Sequence, residues 1–256
     1  MKITVSSKEF YTFISAISNV FRGGAALKIY KNYIECIACS EDSSSIIVCS
    51  KIHILNEEDI NLANGESYEI NVPDLQKFTK LLSMNEEPTF TFEIKNNYIY
   101  FKNNKIRGAK FILDDIPAQK IPKHVTAKWF DNFKTNYSVE LDKTQIKEIL
   151  QIAAFADGSD KVYFYQDGDN LIAELNDRTI SNIDNVSLVV SDKGTGTIND
   201  KVIIAVNSLS SLVLNTPSIK LEVVSVGNKV KSFEALLFTI VSEGILVKYL
   251  FNSKMR

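Results

Sequence analysis

Residues 6–21 read SSKEFYTFISAISNVF, and residues 142–153 read DKTQIKEILQIA. Each stretch opens with a capping pattern, in which a Ser or Asp side chain can accept the amide of a Glu or Gln three positions later, and that residue's side chain can reach back. Apolar residues then recur every three or four positions: Phe10, Phe13, Ile14, Ile17 and Phe21 in the first stretch, and Ile146, Ile149, Leu150 and Ala153 in the second. Both stretches therefore predict an amphipathic helix with one buried stripe.

The same order of elements follows each of these helices. Strand patterns separated by turn residues come next, then a shorter helix, then further strands. The two caps, Ser6 and Asp142, lie 136 residues apart, and the strands predicted to end at Val72 and Val206 end 134 residues apart. Such a nearly constant offset indicates an internal duplication. Antiparallel hairpins with two helices in each half predict an α+β fold with the helices on one face of the sheets.

The composition changes between the two halves. Residues 114–136 have no clean period, hold two of the five prolines and contain the aromatic pair Trp129-Phe130. We predict a first domain at residues 1–115, an interdomain connector at 116–136 and a second domain at 137–256.

The overall composition narrows the class of protein. With 45% hydrophobic and 23% charged residues among 256, the chain is neither largely disordered nor a fibre or a coiled-coil rod. Its longest apolar runs are too short to cross a bilayer, and we predict no secretory signal. Three cysteines crowded between residues 36 and 49 argue against a disulfide framework and predict a cytoplasmic location. A net charge of −2 excludes binding of nucleic acid through overall positive charge.

Three local stretches are similar to parts of one known family. ACSEDSSSI at residues 38–46 resembles its strand–turn–strand with a small polar tip, Ile70–Leu82 its second helix, and Gly244–Phe251 its final strand. With the duplication, the length and the long connector, they make almost the whole chain resemble the sliding DNA clamps, the family of proliferating cell nuclear antigen and of archaeal and tailed-phage clamps. The abundance of Lys, Asn and Ile suits an AT-rich genome and is our ground for considering a phage origin, with the host cytoplasm as its location.

The resemblance implies a duplicated clamp fold in which three copies supply six domains to a ring, with helices lining the bore. The polar helix faces should then be basic, and the sequence offers one set of candidate DNA-binding residues: Lys8, Arg22, Lys77, Lys80, Lys143 and Lys147. The fourth helix departs from this pattern, because it offers Ser208, Ser211 and Asn215 but no cation. The alternative is that these lysines are the ordinary solvated faces of surface helices.

The resemblance also implies a groove in which polymerase and other factors dock short peptides, beside the connector, the polar tip and the final strand. Carried over to this sequence, the groove residues are Ile46, Val125, Trp129, Phe130, Tyr249, Leu250 and Phe251. An apolar groove suits many partners that share one short motif. The alternative for the connector aromatics is that they hold the connector against the domains.

Subunits of such a ring are expected to join through edge strands, residues 107–113 of one chain beside 186–191 of the next. The candidate interface residues are Arg107, Lys110, Phe111, Leu113, Val186, Leu188 and Val190. An edge strand has unpaired backbone groups, which must be paired with another strand or shielded. We expect the apolar side chains of these strands to be poorly covered in a monomer: Phe111, Leu113, Leu188 and Val190. The alternative is that both strands are covered within their own domains.

The sequence contains no pattern typical of an enzyme. One possible zinc site is suggested by the spacing of Cys36, Cys39, Cys49 and His53. However, residues three apart on a strand face opposite sides of the sheet, so Cys36 and Cys39 would point away from each other. We therefore interpret the cysteines as thiols of the core. Gly194-Thr195-Gly196 lacks the lysine of a phosphate loop and predicts a hairpin tip. We predict no catalytic residue, no cofactor and no metal.

The leading hypothesis is a homotrimeric sliding clamp that encircles duplex DNA and tethers the replicative DNA polymerase as a processivity factor. Its implied partners are double-stranded DNA without sequence preference, DNA polymerase, a clamp loader ATPase and further copies of itself, with no membrane. One alternative keeps the fold without the ring, as a DNA-binding processivity or transcription factor. Another is a duplicated β-rich structural protein of a virion with no role on DNA.

Overall fold

A computed structural model describes residues 1–41, 45–155, 160–175, 185–214, 218–227 and 232–253. The chain divides into two compact units. Unit 1 comprises Met1–Glu41, Val48–Thr126 and Ser242–Val247, and unit 2 comprises Asp42–Ile47, Ala127–Val241 and Lys248–Arg256. The boundary between Thr126 and Ala127 falls inside the predicted connector. Short segments of each half are assigned to the opposite unit.

Up to residue 115, the described chain contains two α-helices, eight strands and one 3₁₀ turn at Glu57–Asp59. In chain order the helices and strands are β1 Lys2–Ser6, α1 Ser7–Ser18, β2 Ala25–Ile29, β3 Tyr33–Cys39, β4 Ile46–His53, β5 Tyr68–Val72, α2 Leu75–Leu82, β6 Thr89–Lys95, β7 Tyr98–Phe101 and β8 Ala109–Ile112.

The described residues after 115 contain three α-helices and nine strands. In chain order these are α3 Ala127–Asp131, β9 Lys134–Asp142, α4 Lys143–Phe155, β10 Lys161–Asp167, β11 Asn170–Leu175, β12 Val186–Ser191, β13 Thr195–Gly196, β14 Val202–Ala205, α5 Val206–Leu209, β15 Ser218–Gly227, β16 Ser232–Ser242 and β17 Ile245–Asn252.

Strand order confirms the predicted duplication. Neighbouring strands follow the orders β1-β6-β7-β8 and β4-β3-β2-β5 in the first half, and β9-β15-β16-β17 and β12-β11-β10-β14 in the second. The two halves therefore have the same strand orders, in which β9, β15, β16 and β17 correspond to β1, β6, β7 and β8. In the other sheet, β12, β11, β10 and β14 correspond to β4, β3, β2 and β5. In both halves the long helix follows the first strand, as α1 follows β1 and α4 follows β9. The short helix follows the last strand of the second sheet, as α2 follows β5 and α5 follows β14. The α+β fold class is therefore confirmed.

An aromatic cluster forms the core beneath α1. Phe10 is fully buried, and its ring centroid lies 5.9 Å from that of Phe13, 6.0 Å from Phe78, 5.7 Å from Phe90 and 5.6 Å from Phe92. These side chains come from α1, α2 and β6, so one residue of the predicted apolar stripe joins three elements of unit 1. Edge-to-face and offset stacked pairs add to the stabilisation that comes from burial.

The capping pattern of α1 is confirmed only in part. Ser6 accepts the amide of Glu9 at 3.5 Å, as predicted. The Glu9 side chain does not reach back to Ser6, because its Oε1 accepts the amide of Gly244 at 2.9 Å. A Cβ added to Gly244 would lie 2.2 Å from Oε2 of Glu9, so glycine permits this close approach. Sequence spacing could not reveal a partner 235 residues away.

Several local details of the structure could not be read from the sequence patterns. Helix α2 begins after Asp74, whose Oδ1 accepts the amide of Lys77 at 2.8 Å, and Pro73 precedes this cap. Thr195 and Gly196 form β13 alongside β9 and are not a hairpin tip. Ser232–Ser242 is one continuous strand. The predicted connector also contains α3 and the first residues of β9.

Candidate functional site

Helices α1 and α2 contact each other in unit 1 and carry three of the six predicted DNA-binding cations, Lys8, Lys77 and Lys80, while Arg22 lies four residues beyond the end of α1. The side chains of Lys8, Arg22, Lys77 and Lys80 are all exposed or half-exposed. Lys77 Nζ lies 6.0 Å from the ring centroid of Phe111. Tyr11, which is 42% exposed, lies on the same stripe as Lys8, one helical turn further on. Counting at helical spacing from Lys8 would have found this aromatic residue.

Helix α4 carries the two remaining predicted cations in unit 2. Lys143 and Lys147 are exposed, and Glu148 beside them is exposed as well. Helix α5 has four residues and no cation, as the sequence indicated for the fourth helix. Ser211 is buried just beyond its end, and Asn215 lies outside the described residues.

The charges of these six cations are available to a ligand. In the part of the chain that the structure describes, none of the six takes part in a salt bridge. The lysines that do form salt bridges include Lys51, Lys95, Lys105, Lys201, Lys220 and Lys248. Exposed cations without a carboxylate partner can neutralise phosphates without first breaking an ion pair, and such contacts are independent of base sequence.

Asp142 fixes the start of α4 and so the position of Lys143 and Lys147. Its Oδ1 accepts the amides of Gln145 at 3.1 Å and Thr144 at 2.6 Å, and Oε1 of Gln145 accepts the amide of Asp142 at 2.8 Å. The predicted reciprocal cap is therefore confirmed at this helix. The backbone hydrogen bonds from Gln145 and Thr144 hold the pKa of Asp142 below its ordinary value, because they favour the ionised carboxylate.

Replacing Asp142 with Ala should lower the thermal stability of the protein at pH 7. The folded pKa of Asp142 lies below the unfolded value of about 3.9, so its contribution is complete above that value and is lost as the pH falls through the folded pKa. Thermal unfolding followed by circular dichroism from about pH 6 to about pH 2 should show the gap between wild type and variant narrowing. Asp142→Asn keeps an acceptor and cannot ionise, so it should retain much of the cap and lose the pH-dependent part. A gap that stays constant down to the lowest pH would contradict this assignment.

The predicted docking residues are mostly core residues. Ile46, Val125, Phe130, Tyr249, Leu250 and Phe251 are each 5% exposed or less. Burial raises the pKa of Tyr249. Trp129 is half-buried, and its ring centroid lies 5.4 Å from that of Phe130 and 4.7 Å from that of Phe133. Sequence similarity placed these residues by position and carried no information on which side chains face solvent. The Asp42-Ser43-Ser44 tip lies outside the described residues.

Unit 1 has an opening beside one of these residues. A cavity of about 350 Å³ is bounded by Val125, Ile121 and Pro122 of the connector and by Ala26 and Ile37 of strands β2 and β3. The connector is attached nearby through Gln119, whose Oε1 accepts the amide of Cys39 at 2.8 Å and whose Nε2 donates to the Cys39 oxygen at 2.7 Å. No feature of the connector sequence had singled out Gln119.

The strands predicted to join subunits are edge strands. β8 ends the order β1-β6-β7-β8, and β12 ends the order β12-β11-β10-β14. The expectation that Phe111, Leu113 and Val190 are poorly covered is wrong, since they are 5%, 9% and 3% exposed, while Val186 and Leu188 are half-buried. The exposed apolar residues are Ile112 at 51% and Val189 at 57%. Arg107 and Lys110 are exposed as expected.

Three free cysteines belong to the core. Cys36, Cys39 and Cys49 are 2%, 1% and 4% exposed, which confirms the interpretation as core thiols. Burial raises the pKa of Cys36, with smaller contributions from Cys49 and Glu35. The described ranges contain no group of three or more His, Cys, Asp or Glu side chains placed to hold a metal ion. No α-helix within those ranges is long and apolar enough to cross a membrane.

Comparison with solved structures identifies the fold. The chain superposes on A. fulgidus PCNA bound to the C-terminal region of FEN-1 with a TM-score of 0.73 and 13% identity, over 100% of this chain and 98% of that one. The PCNA2–PCNA3 complex from Sulfolobus tokodaii gives 0.70 at 12% identity over 99% of both chains. Proliferating cellular nuclear antigen from Entamoeba histolytica superposes with a TM-score of 0.73 and 11% identity, over 99% of this chain and 98% of that one. No model of a known protein family and no curated protein matches the sequence. The chain has the full-length α+β fold of the PCNA sliding clamps.

Proposed function

We propose that this protein is a sliding clamp that encircles duplex DNA and tethers a DNA polymerase as a processivity factor. The observation that carries the proposal is the match of the whole chain, both halves included, to PCNA chains. Six exposed cations on the helices or just beyond them support it, because they have no salt-bridge partner among the described residues and can supply phosphate contacts without sequence preference: Lys8, Arg22, Lys77, Lys80, Lys143 and Lys147.

The proposed mechanism is topological. A closed ring stays on DNA without tight binding, and a net charge of −2 suits weak contact. A polymerase attached to such a ring is held near the primer at high effective concentration. The protein itself then catalyses no reaction, and a separate loader ATPase would open the ring. We propose that it acts in the cytoplasm, or in the host cytoplasm if its source is a phage.

The duplication supports the proposed joint between subunits. Strand β17 corresponds to β8, and β4 corresponds to β12. At its two ends β17 is hydrogen-bonded beside β4. In unit 1 the His53 amide donates to the Gly244 oxygen at 2.8 Å, and in unit 2 the Asn252 amide donates to the Ser45 oxygen at 3.0 Å. We propose that β8 of one copy lies beside β12 of the next in the same way, with three copies completing the ring.

Partner docking is proposed on the surface around the connector. A. fulgidus PCNA, which has this fold, binds the C-terminal region of FEN-1. Of the residues that we propose for docking, Trp129 is half-exposed and could contact a partner directly. The buried Ile46, Val125, Phe130, Tyr249, Leu250 and Phe251 would support the surface from beneath.

The native mass tests the ring. Three copies of 28.8 kDa give 86.4 kDa, and light scattering across a dilution series should reach this mass at high concentration. If the ring encircles DNA, the protein should stay bound to circular DNA and be released when the circle is cut. A strict monomer at every concentration would overturn the ring and favour the alternative in which a clamp-like protein binds DNA directly.

A further inference from the structure

The antiparallel sheet β1-β6-β7-β8 of unit 1 has one covered face and one open face. Helices α1 and α2 lie on the covered side, where the ring centroid of Phe10 is 5.6 Å from that of Phe92 and the centroid of Phe78 is 5.1 Å from that of Phe111. On the other side no side chain of the four strands is buried. This open face consists of Lys2, Thr4, Ser6, Thr89, Thr91, Glu93, Lys95, Tyr98, Tyr100, Lys110 and Ile112.

Two tyrosines stand at the centre of the open face. The strand register forms one row across all four strands: Lys2, Glu93, Tyr100 and Lys110. The next row crosses three of the strands: Lys95, Tyr98 and Ile112. Tyr98 and Tyr100 are two residues apart on β7, so they project from the same face with a separation of about 6.6 Å along the strand.

A cation already contacts one of these rings. Lys110 lies opposite Tyr100 on β8, and its Nζ is 4.1 Å from the ring centroid of Tyr98. The ammonium group therefore reaches the face of the Tyr98 ring, and both tyrosines are only half-buried. A ring face that a cation reaches from solvent is also accessible to a flat ligand such as a nucleic-acid base.

The carboxylate of the open face is neutralised by its neighbours. Glu93 Oε2 lies 2.6 Å from Lys95 Nζ, and this hydrogen bond and the charge of Lys95 hold the pKa of Glu93 below its ordinary value, with smaller contributions from Lys2 and the amino terminus. Five exposed acids lie outside the face, beyond β1 or beyond β8: Glu57, Glu58, Asp59, Asp114 and Asp115. Because these acids offset the cations at a distance, we expect stacking to supply most of the affinity for a ligand.

These features suit unpaired bases better than a duplex. An antiparallel four-stranded sheet with aromatic side chains on its surface is one arrangement that stacks the bases of a single strand. A base inside a duplex is covered on both faces by its neighbours and cannot stack on a protein ring unless it is extruded. Lys2 and Lys110, at the two ends of the row through Tyr100, are placed to contact phosphates on either side of stacked bases.

We propose that the open face of this sheet binds a single strand of nucleic acid without sequence preference. Two bases stack on Tyr98 and Tyr100, and the adjacent phosphates lie beside Lys2 and Lys110. Lys110 leaves the Tyr98 ring when a base takes its place.

This site goes beyond the proposed clamp and does not depend on the ring. All of its residues belong to unit 1, so a monomer would contain the complete site. Side chains stand roughly perpendicular to a sheet, so a ligand on the open face leaves the backbone edge of β8 free. The cations of α1 and α2 that we propose for duplex DNA lie on the other side of the sheet.

Removal of the two rings tests the site. Fluorescence anisotropy of a labelled oligo-dT or oligo-U of about 12 nucleotides measures the affinity. The double variant Tyr98→Ala/Tyr100→Ala should weaken binding by about tenfold or more. Tyr98→Phe/Tyr100→Phe keeps both rings and should retain most of the affinity. Binding to a duplex should be the same for all three proteins, because paired bases do not reach the rings.

The salt dependence separates stacking from charge. Lys110→Ala should lower the slope of log affinity against log salt by about 0.7, the value for one phosphate contact on a single strand. The double alanine variant of the tyrosines should lower the affinity and leave this slope unchanged, because it removes no charge.

A matched pair of tyrosines provides the control. Tyr30 and Tyr33, beside the β2–β3 turn of the same unit, are also half-buried, and their ring centroids lie 4.5 Å apart. Tyr30→Ala/Tyr33→Ala should bind the oligonucleotides like the wild type. Thermal unfolding should show that all variants are folded.

Photocrosslinking locates the bound strand. Trypsin cleaves after Lys95 and Lys102, so one peptide, residues 96–102, contains both tyrosines of the site. An oligonucleotide that carries 5-iododeoxyuridine should crosslink to the wild-type protein within this peptide.

The outcomes are distinct from those that test the ring. Failure to bind either oligonucleotide, equal losses in the two double alanine variants, or a crosslink confined to other peptides would each overturn the site. A monomeric wild type that binds single strands through Tyr98 and Tyr100 would overturn the ring and leave the site standing. A trimer that binds duplex DNA, with single-strand affinity that does not depend on these rings, would overturn the site and leave the clamp standing.

Discussion

Replacing Lys8, Lys77, Lys80 and Lys147 with Ala should weaken binding to a short duplex by at least about tenfold in 50 mM salt. All four side chains reach solvent, and none forms a salt bridge with another described residue. If each lysine neutralises one phosphate, the slope of log affinity against log salt should fall by about 0.9 for each lysine removed, or by about 3.6 in total. Fluorescence anisotropy of a labelled duplex across a salt series measures both quantities.

A second quadruple variant controls for net charge. Lys31, Lys102, Lys120 and Lys134 are lysines outside the helices, and their replacement with Ala produces the same net charge of −6 from −2. This control should keep most of the affinity and the salt slope. If the two variants bind the duplex equally weakly, the helix faces have no special role, and only overall charge matters. Circular dichroism should show the same thermal stability for both, because surface lysines contribute little to the core.

Replacing Phe10 with Ala should lower the free energy of unfolding by about 3–5 kcal/mol. The ring is fully buried among Phe13, Phe78, Phe90 and Phe92, and its removal leaves a cavity that rigid aromatic neighbours cannot fill. Because typical total stabilities are about 5–15 kcal/mol, this loss is a large fraction of the whole. Urea unfolding measures the change, and hydrogen exchange should place the loss of protection in α1, α2 and β6.

The neighbouring residue provides the matched control. Tyr11 follows Phe10 in α1 and is 42% exposed, so Tyr11→Ala should change the stability by no more than about 0.5 kcal/mol. Phe10→Leu keeps an apolar side chain of similar reach and should recover much of the loss. Equal effects of Phe10→Ala and Tyr11→Ala would show that the cluster is not the core of unit 1.

The repeated pattern of caps and apolar stripes was enough to predict a duplicated α+β fold, and the resemblance to a known family added the clamp architecture. Periodicity depends on which residues face the core, and that is a local property of each helix or strand. The cap at Asp142 was also predictable, because the residues that form it lie within three positions of each other. The cap at Ser6 was only half predictable, because Glu9 bonds to a distant hairpin.

The candidate surfaces were less predictable than the fold. The strand residues 107–113 and 186–191 were located correctly at edges, but the side chains expected to be exposed on them were wrong. A shift of one position moves the side chains of a strand to the opposite face of the sheet. The pairing of β11 with β12 contains a bulge between Leu171 and Ile172, which changes the alternation of buried and exposed side chains along β12. The docking residues were carried over by position, and position alone does not distinguish Tyr249 in a core from a tyrosine in a groove.

The contact between Glu9 and Gly244 affects the order in which the protein can fold during synthesis. Unit 1 contains residues 242–247 as well as the N-terminal helix. The two partners are 235 residues apart, which at about 5–20 residues per second is a delay of about 10–50 s on the ribosome. The first unit therefore cannot be completed until almost the whole chain has been made. A chain that stops before residue 242 would lose part of its first unit as well as the end of its second.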